Sequence, residues 1–305
     1  MSRRLPTVWD IRRSGAADFE ALTSKRNVRY MTVGHKVKNG VRLPEKSLNF
    51  YVARKEQVAR EDAIPKQIDW LATDGRTADT IATDVTELGS EPTTFGLRSG
   101  HILRAFDNDV GVCAVAYTDG GRKFLLTNAH VVVNAAAGGA AGPVDVLNRT
   151  DGQFYRFGVV ANASQLRPGI ITTHDVARIE VNPAFTVDDF MILDLDNDVD
   201  RLEGIETLSA HRYWYRVNGQ QFECAFPERV VGSVTINVDG IHVPYAEFWQ
   251  LQMVAGAVGK GHSGALLCRS EGAEVVACGL VFGGVAPNLV FAFPFNKMWK
   301  IINPN

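Results

Sequence analysis

Short apolar runs of strand length, separated by turn residues, predict an all-β sandwich or barrel for most of this chain. Three observations lead there. From Val110 onward the sequence reads VGVCAVAYTDGGRKFLLTNAHVV, VDVLNRTDGQFYRFGVVANA, DVARIEV, FMILDL, QFECAFPERVVGSVTINVDG and ALLCRSEGAEVVACGLVFGG, with Gly, Asn and Asp between the apolar pieces. In this region only the last stretch, Asn296 to Ile302, has helical character. The 305 residues are about twice the ~150 of a usual domain, which gives room for two cores, or a double core with an extension.

In chain order, residues 10 to 25 (DIRRSGAADFEALTSK) set Ile11, Ala16, Phe19 and Leu22 at roughly helical spacing and predict a short helix. At Arg29 the period changes to two. RYMTVGHKVKNG and SLNFYVARKE, joined by a linker with Gly40 and Pro44, predict a β-hairpin. Residues 56 to 95 are polar, hold short apolar pieces such as Ile68 to Leu71, and lead into Gly89, Pro92 and Gly96. A boundary is therefore expected near residue 96, with an extension over 1–95 and a main domain over 96–305. The Ala/Gly stretch 135–142 reads as flexible linker, and no repeat of fixed period is present.

Composition narrows the function classes. Apolar residues make up 46% and charged residues 22%, an ordinary globular balance. The 32 Lys and Arg against 34 Asp and Glu leave a net charge of −2, without the basic excess that nucleic-acid binding shows. The longest weakly polar stretch, Val131 to Val144, is broken by Asn134, three glycines and Pro143, and falls short of the ~18 apolar residues of a spanning helix, so no membrane partner is expected. Cys113, Cys224, Cys268 and Cys278 form no CxxC pair, and the N-terminal residues hold no unbroken apolar stretch of signal-peptide length. Reduced thiols in a cytoplasmic protein are the expectation. Cys268 and Cys278, on two arms of one predicted hairpin, are expected to stay free and pack as small hydrophobes.

The chemistry-bearing segments are Thr127-Asn128-Ala129-His130, at the end of an apolar strand, and Gly261-His262-Ser263-Gly264, just before another. Acyl transfer needs a hydroxyl nucleophile, an imidazole to take its proton, a carboxylate to fix the imidazole's tautomer, and N–H groups aimed at the oxyanion. His130, an Asp and Ser263 occur in that chain order, and a glycine-flanked turn can point the N–H groups of Gly261 and Ser263 at one place.

TNAHV and GxSG, in the order His, Asp, Ser among short strands, resemble the chymotrypsin-like (trypsin-like) serine peptidase family over roughly residues 96 to 305. The resemblance implies a double β-barrel, barrel 1 over about 96–205 and barrel 2 over about 206–305, preceded by the extension with its β-hairpin. It implies a serine endopeptidase working without a cofactor, with Ser263 as nucleophile, His130 as base and then acid, and Gly261 and Ser263 as oxyanion hole. IPKQI (Ile64 to Ile68) and TDVTELG (Thr83 to Gly89) are also similar to the leader of intracellular bacterial trypsin-like peptidases and of the plant narrow-leaf proteins. That likeness implies a specific intracellular protein substrate, control by the extension or a regulatory protein partner, and a place in bacterial stress or defence.

Two aspartates compete for the carboxylate role. Asp175 opens DVARIEV and Asp189 opens DFMILDL. Strand counting favours Asp175, because VDVLN, QFYRFGVVANA and DVARIEV supply the three strands that finish the first barrel after His130. Asn182-Pro183-Ala184-Phe185 before Asp189 resembles the segment before the catalytic Asp of secreted members, and the strand after Asp189 lacks the mid-strand charge of Arg178. His262 replaces the Asp that many members carry there; it reads as a surface residue of the turn, or as a modulator of local pKa.

For specificity, the resemblance puts Ala257 at the floor of the primary pocket, followed by Val258, with Phe282 to Gly284 as the opposite wall. Without an acid at that floor, a small or apolar P1 residue is expected rather than Lys or Arg. The base should titrate near ~6.5, so hydrolysis should rise through neutral pH. GKGHSG also matches G-x-G-x-x-G, but a hairpin follows where a dinucleotide site needs a helix. Asp194, Asp196, Asp198 and Asp200 alternate like a calcium loop, yet Val199 and Ile205 stand where Gly and Glu are needed. The scattered histidines support no zinc site. A rival reading of another class is a catalytically silent protease-fold scaffold that binds a protein partner.

Overall fold

The computed structural model describes residues 22, 24–25, 27–38, 41–58, 63–71, 78–90, 92–94, 103–105, 108–110, 114–134, 140–141, 143–147, 153–185, 193–205, 211–217, 219–238, 240–259 and 261–302. They are mainly β, with three short helices among them. Two compact units result: Met1–Glu91 with Glu228–Val234, and Pro92–Pro227 with Thr235–Asn305.

In the first unit, Val28–Lys38 and Val41–Val52 form the antiparallel hairpin. The second strand starts earlier than its sequence suggests and carries Pro44 within it. Gln67–Leu71 follows, and then Ala78–Glu87, a strand that the polar composition of 56–95 conceals. Ala78–Glu87 pairs in parallel with Val41–Val52 and antiparallel with Gln67–Leu71. The IPKQI and TDVTELG segments thus lie side by side, with the Thr83 N–H donating to the Lys66 carbonyl at 3.0 Å. Met31, Leu48, Phe50, Ile81 and Val231 make the core of this unit. The helix expected over 10–25 lies outside the described residues apart from Leu22, Ser24 and Lys25.

Among its described residues the second unit holds two large sheets and one short two-stranded pair. The first runs in the order Leu193–Asp194, Val115–Asp119, Arg122–Thr127, Ala177–Val181, Phe154–Ala163, Pro143–Leu147, Leu103–Ala105, Asn108–Val110. Ala177–Val181 alternates buried and half-buried residues, the period of two that places Val181, Ile179 and Ala177 inward. Arg178 faces the other way; its guanidinium lies 3.6 Å over the Phe124 ring and donates to Asp119, so the mid-strand charge fits. At Gly158, paired with Val181, an added Cβ would meet the Glu180 carbonyl oxygen at 2.1 Å, so only glycine lets the two strands approach this closely. FMILDL is strand only at Leu193–Asp194, after which Leu195–Asp198 turns helical; residues 186–192 lie outside the described set. Ala140–Ala141, from the expected linker, pairs with Val133–Asn134.

Part of the second sheet closes on itself. Glu274–Val285 pairs Leu266–Glu271, which pairs Tyr213–Val217, which pairs Gln220–Val231; Trp249–Ala255 then joins that strand to Leu289–Pro294, which returns to Glu274–Val285. Closure buries a common interior where Tyr213, Tyr215, Cys224, Leu251, Leu267 and Val281 pack. The terminal helix spans Phe295–Ile302, as its spacing predicts. Among the described residues no helix is long and apolar enough to cross a membrane.

Candidate active site

His130 lies in a single helical turn, Ala129–Val132, just after the strand Arg122–Thr127. That strand pairs with Ala177–Val181, Thr127 opposite Ala177, which brings the residue two before Ala177 alongside the imidazole. The residue is Asp175. Ser263 precedes the strand Leu266–Glu271, in a turn where Gly261 and Gly264 take φ of +91° and +82°, values that side chains rarely adopt.

The structure brings three of the predicted side chains into one line. Ser263 Oγ stands 2.9 Å from His130 Nε2, and His130 Nδ1 stands 2.5 Å from Asp175 Oδ2. A carboxylate only accepts, so Nδ1 carries the proton and Nε2 is the acceptor facing the hydroxyl. The second carboxylate oxygen accepts the backbone N–H of His130 at 3.1 Å. Asp175 and Ser263 are fully buried and His130 is nearly so. Burial would raise the Asp175 carboxyl, but the electrostatic attraction of the His130 ring, its two hydrogen bonds and the Tyr245 hydroxyl hold it below the usual range. The serine proton has a second acceptor in reach, the Phe282 carbonyl at 3.1 Å.

Two partners of this line were not assigned from sequence. Tyr245 donates its hydroxyl to Asp175 Oδ2 at 3.0 Å and stacks on Phe282 at 5.2 Å between ring centroids. Its position is fixed by the isolated bridge between Tyr245 and Thr172, with the Thr172 N–H donating to the Pro244 carbonyl at 2.7 Å. No local pattern marks such a residue. Asn128 lies inside the TNAH motif, fully buried, with its side chain bonded to both other segments.

His262 differs from expectation. Its side chain is buried, not a surface group of the turn, and its Nδ1 lies 3.0 Å from the Tyr215 hydroxyl. The ring meets Phe222 edge-on at 4.6 Å. Burial lowers its pKa to about 4, so it is neutral at pH 7. Of the residues expected near the primary pocket, Val258 is buried in the second-sheet core, Gly284 is buried in Glu274–Val285, and Ala257 is exposed. Asp189 lies outside the described residues. Beside Asp175 a cavity of about 340 Å³ opens, lined by Ser164, Ile170, Ile171, Thr173, His174 and Val176.

Cys224, Cys268 and Cys278 are buried thiols outside any disulfide, and Cys113 lies outside the described residues. Burial pushes the Cys224 and Cys268 thiols well up, away from the thiolate form a nucleophile or metal ligand needs. Among the described residues no group of three or more His, Cys, Asp or Glu is arranged to hold a metal ion. Asp196 is instead bonded to Thr118 and Lys123, and Asp200 accepts the Val275 N–H.

No protein-family model and no curated protein matches the chain. Among solved structures it is similar to a glutamic acid-specific serine protease that uses a histidine triad in substrate binding, at 15% identity and a TM-score of 0.41, over 67% of this chain and 96% of that one. It is also similar to the murine norovirus NS6 protease, at 13% identity and a TM-score of 0.31, over 68% and 99%. A third is the tobacco etch virus protease in complex with substrate, at 15% identity and a TM-score of 0.29, over 64% and 83%.

Proposed function

We propose that the protein is a serine endopeptidase that hydrolyses peptide bonds through an acyl-enzyme. The observation that carries this reading is the continuous relay Ser263 Oγ–H to His130 Nε2 at 2.9 Å and His130 Nδ1–H to Asp175 Oδ2 at 2.5 Å, in a buried setting. In the first half-reaction Ser263 Oγ attacks the carbonyl carbon while its proton passes to His130 Nε2. The imidazolium so formed sits against a carboxylate that already holds the ring by Nδ1 and by its backbone N–H. The carbonyl oxygen, now an oxyanion, is taken by the N–H groups of Gly261 and Ser263. Collapse returns the proton to the departing amine, and water repeats the sequence to free the acid. These steps use the chain's own groups and require no cofactor.

Asp175 rather than Asp189 is the orienting carboxylate in this reading. The primary pocket, built around Ala257, Val258 and Gly284, takes a small or apolar P1 side chain. The cavity beside Asp175, with Ile170 and Ile171 exposed at its rim, gives room for a further substrate side chain. Residues 1–95 act as a regulatory extension to a protease domain over 96–305, and the setting is cytoplasmic, with a dedicated protein substrate and a regulatory protein partner in a stress or defence response.

A fluorophosphonate probe tests the reading, since only an activated serine reacts. Wild-type protein should label at Ser263 and Ser263→Ala should not. An unlabelled wild type with intact fold would instead establish the silent binding scaffold. Cleavage of a peptide library should peak after small or apolar residues, and dominant cutting after Arg or Lys would refute the pocket assignment.

A further inference from the structure

Asn128 stands at the N-terminal cap of the turn Ala129–Val132, where an asparagine side chain normally accepts an N–H from two or three residues ahead. It makes no such bond. The N–H of His130 goes instead to Asp175 Oδ1 at 3.1 Å, and that of Val131 to the Asn128 backbone carbonyl at 3.3 Å. A carboxylate from another segment thus does the capping, and the Asn128 amide is released for other work. Its Oδ1 accepts the N–H of Gly264, the residue after the nucleophile, at 2.6 Å; its Nδ2 donates to the Asp175 carbonyl at 2.7 Å. Those bonds reach across 136 and 47 residues of sequence. The orientation of the amide is fixed by its partners, because an N–H can only donate and a carbonyl can only accept.

We infer that Asn128 is a positioning residue whose amide braces the segments carrying His130, Asp175 and Ser263 against one another; the inference rests on the serine-hydrolase reading above. Asn128 moves no proton and is bonded to none of the reacting atoms. It acts by tying the turn behind the serine to the backbone of the aspartate through one rigid planar group that both accepts and donates. Leucine copies its shape without either function. Serine can cap the turn Ala129–Val132 but is too short to span the other two segments.

Turnover is measured per fluorophosphonate-titrated site, so that a variant that merely folds poorly loses sites rather than turnover per site. Asn128→Leu and Asn128→Ser should both lower kcat per site by about 10²-fold with KM little changed, the cost of misplacing reacting atoms by ~1 Å. In both, the low-field proton NMR signal of the His130 Nδ1–H should shift or broaden. Asn128→Ser is the discriminating variant, since a residue that served only the local turn would tolerate it. Wild-type turnover per site with an unshifted signal in Asn128→Ser would overturn the inference. If the wild type itself shows no reactive serine, the hydrolase reading fails, and the NMR comparison still decides whether the amide holds the His130–Asp175 pair.

Discussion

Two carboxylates, Asp175 and Glu228, are buried in separate units of this protein and held by several donors each, yet only one has the surroundings for chemistry. Glu228 accepts from the hydroxyls of Thr32 at 2.6 Å and Tyr51 at 3.1 Å and from the Asn49 amide at 3.3 Å. Its carboxyl group fills the space that a Cβ on Gly34 would need. All of these donors are uncharged, and none takes a proton near neutral pH. Asp175 also accepts from a hydroxyl and a backbone N–H, but its third donor is an imidazole whose far nitrogen faces a serine. Burial and hydrogen bonding are common to both, so neither identifies a site. What differs is a titratable neighbour in line with a serine hydroxyl.

The sharpest way to break this contrast is Asp175→Asn. It should cost about 10⁴ in kcat by leaving the imidazole in the wrong tautomer, while near-native circular dichroism is retained. A loss of less than tenfold would remove Asp175 from the orienting role. A third buried ionisable group, His262, probes burial without chemistry. Its ordinary value is 6.5 and its folded value about 4, so between those pH values the unfolded chain takes up a proton that the folded chain refuses. Folding stability should therefore fall by about 3 kcal/mol as pH drops from 6.5 to 4 and then level off. His174, also lowered by burial, adds to the same slope. The measurement is thus the difference in denaturant midpoints between wild type and His262→Gln across that window, and parallel curves would contradict it.

Glu228→Gln replaces an acceptor with a donor facing other donors, and should lower stability by about 1–3 kcal/mol while turnover per titrated site stays at the wild-type level. Reduced turnover per site would mean that the two carboxylates are not as different as their neighbours suggest. The smallest expected effect is that of Tyr245→Phe, which removes one of the bonds to Asp175 Oδ2. A loss of about tenfold in kcat corresponds to the ~1.4 kcal/mol of one such bond.

The mainly β architecture was legible because strands announce themselves locally, as in Ala177–Val181, where alternation and β-branched residues coincide. Ala78–Glu87 escaped because its Thr and Asp residues outweigh Ile81 and Val85, although its β-branched content was a usable signal. At the site, His130 and Ser263 stood out through their glycine-rich or strand-end settings. Tyr245 did not, since its bond to Asp175 spans 70 residues and leaves no trace in either neighbourhood. His262 was misjudged for the same reason: a polar residue in a Gly-rich turn suggests solvent, and the Tyr215 and Phe222 rings that enclose it come from elsewhere in the chain.

Gly158 shows how far from the reacting atoms a requirement of this kind can extend. A single methyl group there would wedge apart two strands, one of which leads directly out of the aspartate segment. On the proposed reading, selection for peptide cleavage would also act on a position that holds no functional group at all, and the tolerance of the protein to random substitution should dip there as sharply as beside Ser263.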